Sequence, residues 1–217
     1  PLSTANSLSF NMTPVNRVSY PAGYTPTQVD NVYSMDFDGV DDYFNLGSTI
    51  DFSGKNFTIS GWYKITKSSG SSSMFSMGSS KNIGIWHDGT NVNFYNKTST
   101  SAWNGITAAM SKNVWRHVAC VYDGSNRYIY IDGTLANSGA KSGSQNDDDT
   151  DQWIGYLAGV SSYAYEGQID EVAIFDYALT PRQIKQDIYN GTTSGKTADL
   201  NNISNLTPPV AWYRMGD

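Results

Sequence analysis

The sequence predicts an all-β protein, an antiparallel sandwich of two packed sheets with one short helix towards the C-terminus. Three observations carry this. Short apolar runs with a two-residue period recur along the 217 residues, and that period is the mark of a strand with one buried face. Asp-Gly pairs stand between several of those runs, at 38–39, 88–89, 123–124 and 132–133, and Asp-Gly between alternating stretches is a strong hairpin signal. The composition is rich in Gly and Tyr and poor in charge, at 16%, which suits many turns around an aromatic core.

Length allows one large domain, because all-β domains reach roughly 250 residues. Net charge is −6 without a basic stripe, so nucleic acid is excluded as the expected partner. No run approaches the ~20 apolar residues of a membrane helix. The single cysteine, Cys120, permits no disulfide within the chain. The chain starts at Pro1 without Met and reads as a piece of something longer.

Taken in order, residues 1–32 read as a polar leader with an edge strand around 17–20. The main body spans 33–190. Tyr33, Met35 and Phe37 alternate as a strand, Asp38-Gly39 turns the chain, and 43–46 returns. Residues 57–65 form the clearest early strand, with Phe57, Ile59, Tyr63 and Ile65 on one face and Trp62 on the other. Strands are expected at 74–77, 83–87 and 92–95, then a long central one at 114–122, followed by 127–131 and 134–137. Residues 138–151 read as a polar loop with an acidic stretch at 146–151. Strands at 152–154 and 164–175 close the sheets. In the last of these Val172 and Ile174 face one way, Ala173 and Phe175 the other, and Asp170 stands at the start of the apolar stretch.

Thr180, Pro181 and Gln183 form a capping box with proline at the first helical position. Leu179 and Ile184 staple the helix, and Gly191 ends it. It is expected on the edge of the sandwich. Residues 191–217 read as a polar linker and a strand-like run at 210–215, which either completes this sandwich or opens a following module.

Four pieces in this order resemble a laminin-G-like domain of the concanavalin A-like lectin/glucanase superfamily. They are Met35–Gly39 with Asp42-Tyr43, Phe57–Trp62, Trp115–Ala119 with Tyr128–Gly133, and Gly167–Phe175 followed by Leu179-Thr180 and the helix. The resemblance implies a jelly roll of two antiparallel sheets, one convex and one concave. That fold hosts lectins, hydrolases, adhesion modules and structural domains, so function must come from the site.

In related folds calcium often sits between an early Asp-Gly turn and the Asp of the late strand. Carried over, this names Asp38, Gly39 and Asp170, with Asp42 beside them, as calcium ligands. Calcium takes six to eight oxygens, and a structural role is expected for it. The acidic loop 146–151 reads as a solvated loop.

Trp86, Trp103 and Tyr95 are the candidate ligand-binding aromatics, since sugar faces stack on rings. Core packing competes for every aromatic. Trp62 and Trp115 are read as core, His117 as a core histidine bonded to a carbonyl, His87 as an exposed hairpin end and Cys120 as a buried small residue. No catalytic residue is assigned. The chain has two glutamates, Glu166 and Glu171, which point to opposite faces of a regular strand. Glu166 and Asp170 share a face but lie about 13 Å apart, while glycosidase pairs sit at ~5–9.5 Å.

The sequence reading is therefore a non-catalytic recognition module, binding carbohydrate or cell-surface glycan, with a structural calcium. It would belong to a larger exported or phage structural protein, located outside the cell, on a cell surface or on a virion, beside neighbouring modules and without membrane insertion. The alternative is a structural or adhesion domain without glycan binding. Glycoside hydrolysis is disfavoured.

Overall fold

The computed structural model describes residues 27–47, 50–78, 82–99, 104–146, 151–157, 160–192 and 195–215. The expected strand at 17–20, Trp103 and most of the acidic loop lie outside them.

The strands run β1 (Gln28–Asp30), β2 (Met35–Asp38), β3 (Phe44–Gly47), β4 (Phe57–Ile65), β5 (Ser72–Met77), β6 (Ile83–His87), β7 (Asn91–Asn96) and β8 (Gly105–Ala109). They continue as β9 (Arg116–Tyr122), β10 (Asn126–Ile131), β11 (Thr134–Ala140), β12 (Gln152–Ile154), β13 (Glu166–Phe175), β14 (Lys196–Ala198) and β15 (Ala211–Tyr213). One sheet has the order β11-β10-β9-β4-β13-β15, with β2 also on β13. The other has the order β3-β12-β5-β6-β7-β8. All pairings within them are antiparallel. This is the sandwich the sequence predicts.

The two-residue period places the core. Phe57, Ile59, Tyr63 and Ile65 of β4, with Val118, Cys120 and Tyr122 of β9, meet Met74, Phe75, Ile83, Ile85, Val92 and Phe94 across the sandwich. The Asp-Gly hairpins form at 88–89, 123–124 and 132–133. Asp38-Gly39 instead turns the chain from one sheet to the other, β2 pairing with β13 and β3 with β12. The geometry of the hairpins explains the residue choice. Asp88 Oδ1 accepts from the N–H groups of Thr90 and Asn91, and Asp123 Oδ1 does the same for Ser125 and Asn126. Each carboxylate thus satisfies amides that the turn leaves without a ladder partner.

Gly167 shows why the late motif needs glycine. Its φ is +134°, and a Cβ there would stand 2.1 Å from the Lys64 carbonyl oxygen. Only a residue without a side chain lets β13 lie against β4 at that point.

Several expectations need correction. Strand β2 begins at Met35, and Tyr33 is exposed before it. Strand β9 begins at Arg116, leaving Val114 exposed. Strand β8 was not foreseen, because Gly-Ile-Thr-Ala-Ala carries too little bulk to show a period. The capping box is present, with Gln183 N–H donating to Thr180 Oγ1 and Thr180 N–H to Gln183 Oε1. Beyond it, however, Gln183–Tyr189 winds as a π-helix.

That helix packs on the outer face of the seven-stranded sheet rather than its edge. Ile184 and Ile188 join Ala119, Val121, Ala173 and Phe175 in a second apolar cluster. Leu200, Ile203 and Leu206 belong to the same cluster, so the stretch 198–206 is a packed part of this domain. Strand β14 pairs with β1, and β15 pairs with β13. The C-terminal run completes this sandwich.

Candidate functional site

The outer face of the six-stranded sheet gathers the candidate binding residues. Inward-pointing Ile85 and Phe94 alternate with outward-pointing Trp86, Asn93 and Tyr95. Cross-strand pairing places Ser73, Trp86, Asn93 and Thr107 in one row. The next row holds Trp153, Ser76, Gly84, Tyr95 and Gly105. Trp86 is half-buried, and its ring lies 3.3 Å from where a Gly84 Cβ would be. The indole is therefore laid back over Gly84, whose partner across the ladder is Tyr95. Two of the predicted aromatics thus flank one glycine.

Tyr95 is covered more than expected. Arg127, itself buried, sits 6.0 Å above its ring. That guanidinium donates to the Asn104 carbonyl and to Asn104 Oδ1. Burial raises the Tyr95 phenol above its ordinary pKa, against the opposing pull of Arg127.

At the β3 edge of this face, Tyr43 and Tyr156 pair with ring centroids 5.1 Å apart. Tyr43 is half exposed. The Tyr156 carbonyl accepts from both Ser73 and Ser76 hydroxyls, which fixes this pair against the sheet. The sequence reading missed it, because Tyr43 and Tyr156 are far apart in the chain and only folding brings them together.

The predicted calcium set is only partly brought together. The carboxylates of Asp38, Asp41 and Asp42 lie within 4.8 Å of one another, all exposed. Asp38 Oδ1 accepts from Val40 N–H, and Asp42 Oδ2 from Asp38 N–H. Gly39 turns there at φ +80°, with Glu166 so close that a Cβ would meet it at 2.9 Å. Asp170 does not join them. The register sets Asp38 opposite Glu166 and Met35 opposite Ile169, so Asp170 is about 13 Å along β13 from that turn. It is fully buried, and its Oδ1 accepts from Glu171 N–H. The separation follows from the strand register, which sequence motifs alone did not fix.

The glutamates are similarly placed. Glu171 has φ +53° at a register shift in β13. Its carboxylate accepts from Trp212 Nε1–H at 2.6 Å and Asn31 Nδ2–H at 3.2 Å, with Arg214 Nε 3.5 Å away. It is held by the neighbours it joins and stands apart from the outer face of the other sheet.

The histidines depart from expectation. His87 is buried. Its Nδ1 accepts from Gly89 N–H, so its Nε2–H donates to the Met110 carbonyl. His117 is 1% exposed, and neither ring nitrogen has a hydrogen-bond partner among the described residues. Instead of a carbonyl it meets the rings of Trp62 and Tyr189, at 5.4 Å and 6.0 Å. Burial pulls its pKa down to about 3. Trp62 is buried as expected, but beneath the π-helix, with Tyr189 stacked on it. Trp115 is half-buried, and Cys120 lies in the core with its thiol pushed well up by burial.

Two packed antiparallel sheets, one with an aromatic outer face, define a concanavalin A-like β-sandwich. A family model for the concanavalin A-like lectin/glucanases superfamily, of the laminin-G type, matches residues 38–185, and the chain belongs to that family. Among curated proteins none matches it in sequence.

Solved structures share the fold at low identity. Domain 4 of AbnA, an extracellular arabinanase from Geobacillus stearothermophilus, in complex with arabinotriose, is 19% identical with TM-score 0.56, over 75% of this chain and 81% of that one. The sialidase CBM40 of Ruminococcus gnavus, bound to α2,3-sialyllactose, is 14% identical with TM-score 0.59, over 73% and 96%. The binding domain of Paraclostridial Mosquitocidal Protein 1 is 16% identical with TM-score 0.59, over 74% of this chain and 44% of that one. This chain thus spans less than half of that binding domain.

Proposed function

We propose that this domain is a non-catalytic carbohydrate-recognition module acting outside the cell. The observation that carries the reading is the half-buried indole of Trp86 on the outer sheet face, its ring packed against Gly84, the ladder partner of Tyr95. A flat ring on a rigid strand offers a stacking platform with little conformational entropy to lose on binding. The sugar-bound neighbours of the same fold support it, as properties of those proteins. Glu171 is committed to Trp212, Asn31 and Arg214, which argues against a hydrolytic pair on β13.

A calcium ion belongs to the proposal as a support of the fold. The three Asp carboxylates of the β2–β3 turn suit a hard cation, with Gly39 giving the sharp turn they need and water completing the shell. Asp170 is outside that set.

A broad glycan array with calcium present, repeated after chelation, tests both parts. Specific glycan binding by the wild type is expected, together with a loss of about tenfold or more, ~1.4 kcal/mol, in Trp86→Ala. Chelation is expected to lower the melting temperature. A blank array on folded protein would move the assignment to a structural or adhesion domain, and an unchanged melting temperature would remove the calcium.

A further inference from the structure

We propose that Asn93 determines specificity at this face, its side-chain oxygen receiving a hydroxyl of an uncharged sugar whose ring stacks on Trp86. This rests on the carbohydrate-binding reading above and adds the polar half of the site to its aromatic half.

The geometry starts at the β6–β7 turn. Asn93 Nδ2 donates to Asp88 Oδ2 at 3.0 Å and to the Asn91 carbonyl at 3.2 Å. Both amide hydrogens are thereby used, and the side chain cannot rotate without losing them. Asp88 is a firm anchor. Burial opposes its charge, but hydrogen bonds from Asn93, Asn91 and Thr90 outweigh that and hold its pKa down at about 2. It stays ionised across the physiological range, and an ionised carboxylate only accepts. The amide orientation of Asn93 is therefore set by chemistry, with nitrogen towards Asp88 and oxygen away.

That oxygen accepts from no described residue, and it is not among the buried unpartnered atoms. Asn93 as a whole is 9% exposed, and with both amide hydrogens committed the remaining polar capacity of its side chain is that of an acceptor. Trp86 is its partner across one ladder and Thr107, which is exposed, across the other. Three strands at ~4.8 Å spacing put platform, acceptor and hydroxyl over about 10 Å, the reach of a disaccharide. An acceptor with a permanent negative charge behind it selects a hydroxyl donor and repels a carboxylate or sulfate. The ligand class is an uncharged glycan.

The test measures binding by calorimetry to neutral gluco-, xylo-, manno- and galacto-hexasaccharides, with oligogalacturonate as the acidic comparator. Wild type is expected to prefer a neutral probe. Asn93→Ala is expected to lose about tenfold or more in affinity, as does Trp86→Ala. Asn93→Asp separates recognition from folding. Its carboxylate would sit beside Asp88, which raises its pKa. When protonated it is the isostere of the amide, donating to Asp88 and presenting a carbonyl. Its affinity should climb towards wild type as pH falls from 7.5 to about 5, while wild type stays flat. Binding that depends on Trp86 but is unchanged, within about twofold, in Asn93→Ala would overturn this inference and leave the function standing. Preference for the acidic probe, or no pH response in Asn93→Asp, would also overturn it. No binding to any probe by folded wild type would overturn both readings.

Discussion

Acidification from pH 6.5 to 4 is expected to cost the folded protein about 3 kcal/mol through His117 alone, and His117→Phe should remove that part of the slope. The ring is 1% exposed, unbonded at both nitrogens among the described residues, and flanked by Trp62 and Tyr189. Protonation would create a buried cation with two unsatisfied donors. Its folded pKa, about 3 against an ordinary 6.5, is therefore depressed. The unfolded chain takes up the proton first, so stability is full above pH 6.5 and falls by ~1.4 kcal/mol per pH unit below it. The loss ends near pH 3, where the folded form titrates too.

The charged neighbours do not rescue the ring. Asp132 Oδ1 accepts from the His117 backbone N–H, and its Oδ2 is 2.6 Å from Arg116. Asp170, next to Trp62 across the ladder, accepts from Glu171 N–H. Tyr189 comes from the π-helix above. His87, whose pKa burial also lowers, adds a loss of the same sign that remains in the variant. Urea unfolding at several pH values reads the slope. Equal slopes for wild type and His117→Phe would show that the ring is solvated.

The second large effect is at Glu171. Glu171→Ala is expected to destabilise by about 3–5 kcal/mol, because it strips a buried carboxylate from Trp212, Asn31 and Arg214. Glu171→Gln should cost less, about 1–3 kcal/mol, since an amide oxygen can still accept from one of them. These contacts tie residue 31 and β15 to the bulge of β13, so the C-terminal strand should loosen before the sandwich. Hydrogen exchange at 211–213 would rise in Glu171→Ala under conditions where β4 and β9 stay protected. A variant within 0.5 kcal/mol of wild type, or uniform loosening, would refute this role (a change that small is typical of an uncoupled surface site).

What was legible in the sequence was local chemistry. Period-two alternation and apolar runs identified β4, β9 and β13 and sorted the residues of β4 and β13 between two faces, because a pleated strand has only two. Which face of β9 and β13 points into the sandwich was not legible, since both are apolar. Asp-Gly and the Thr180–Gln183 box marked turns and a helix start, because they satisfy amides a few residues away. Four ordered motifs pointed to the family that the match over 38–185 establishes. Trp86 and Tyr95 were legible as candidate aromatics, but their side of the sheet and the burial of Tyr95 under Arg127 were not.

Tertiary structure alone decided what depends on register and on distant partners. One shift of pairing between β2 and β13 sets Asp38 opposite Glu166 instead of Asp170, and separates the expected metal ligands. His117 was read as bonded to a carbonyl, yet what meets it are two rings, Trp62 from β4 and Tyr189 from the helix that covers it. The polar-looking segment after the helix is held by Leu200, Ile203 and Leu206, three apolar residues among polar ones that tertiary packing gathers with Ile184 and Ile188 of the helix. Asn93 gave no signal in sequence, being one Asn among many. Its oxygen acquires a direction only because Asp88 folds back to hold its nitrogen. Alternation is a property of neighbours along the chain, whereas the aim of a side chain is set by atoms that folding brings to it.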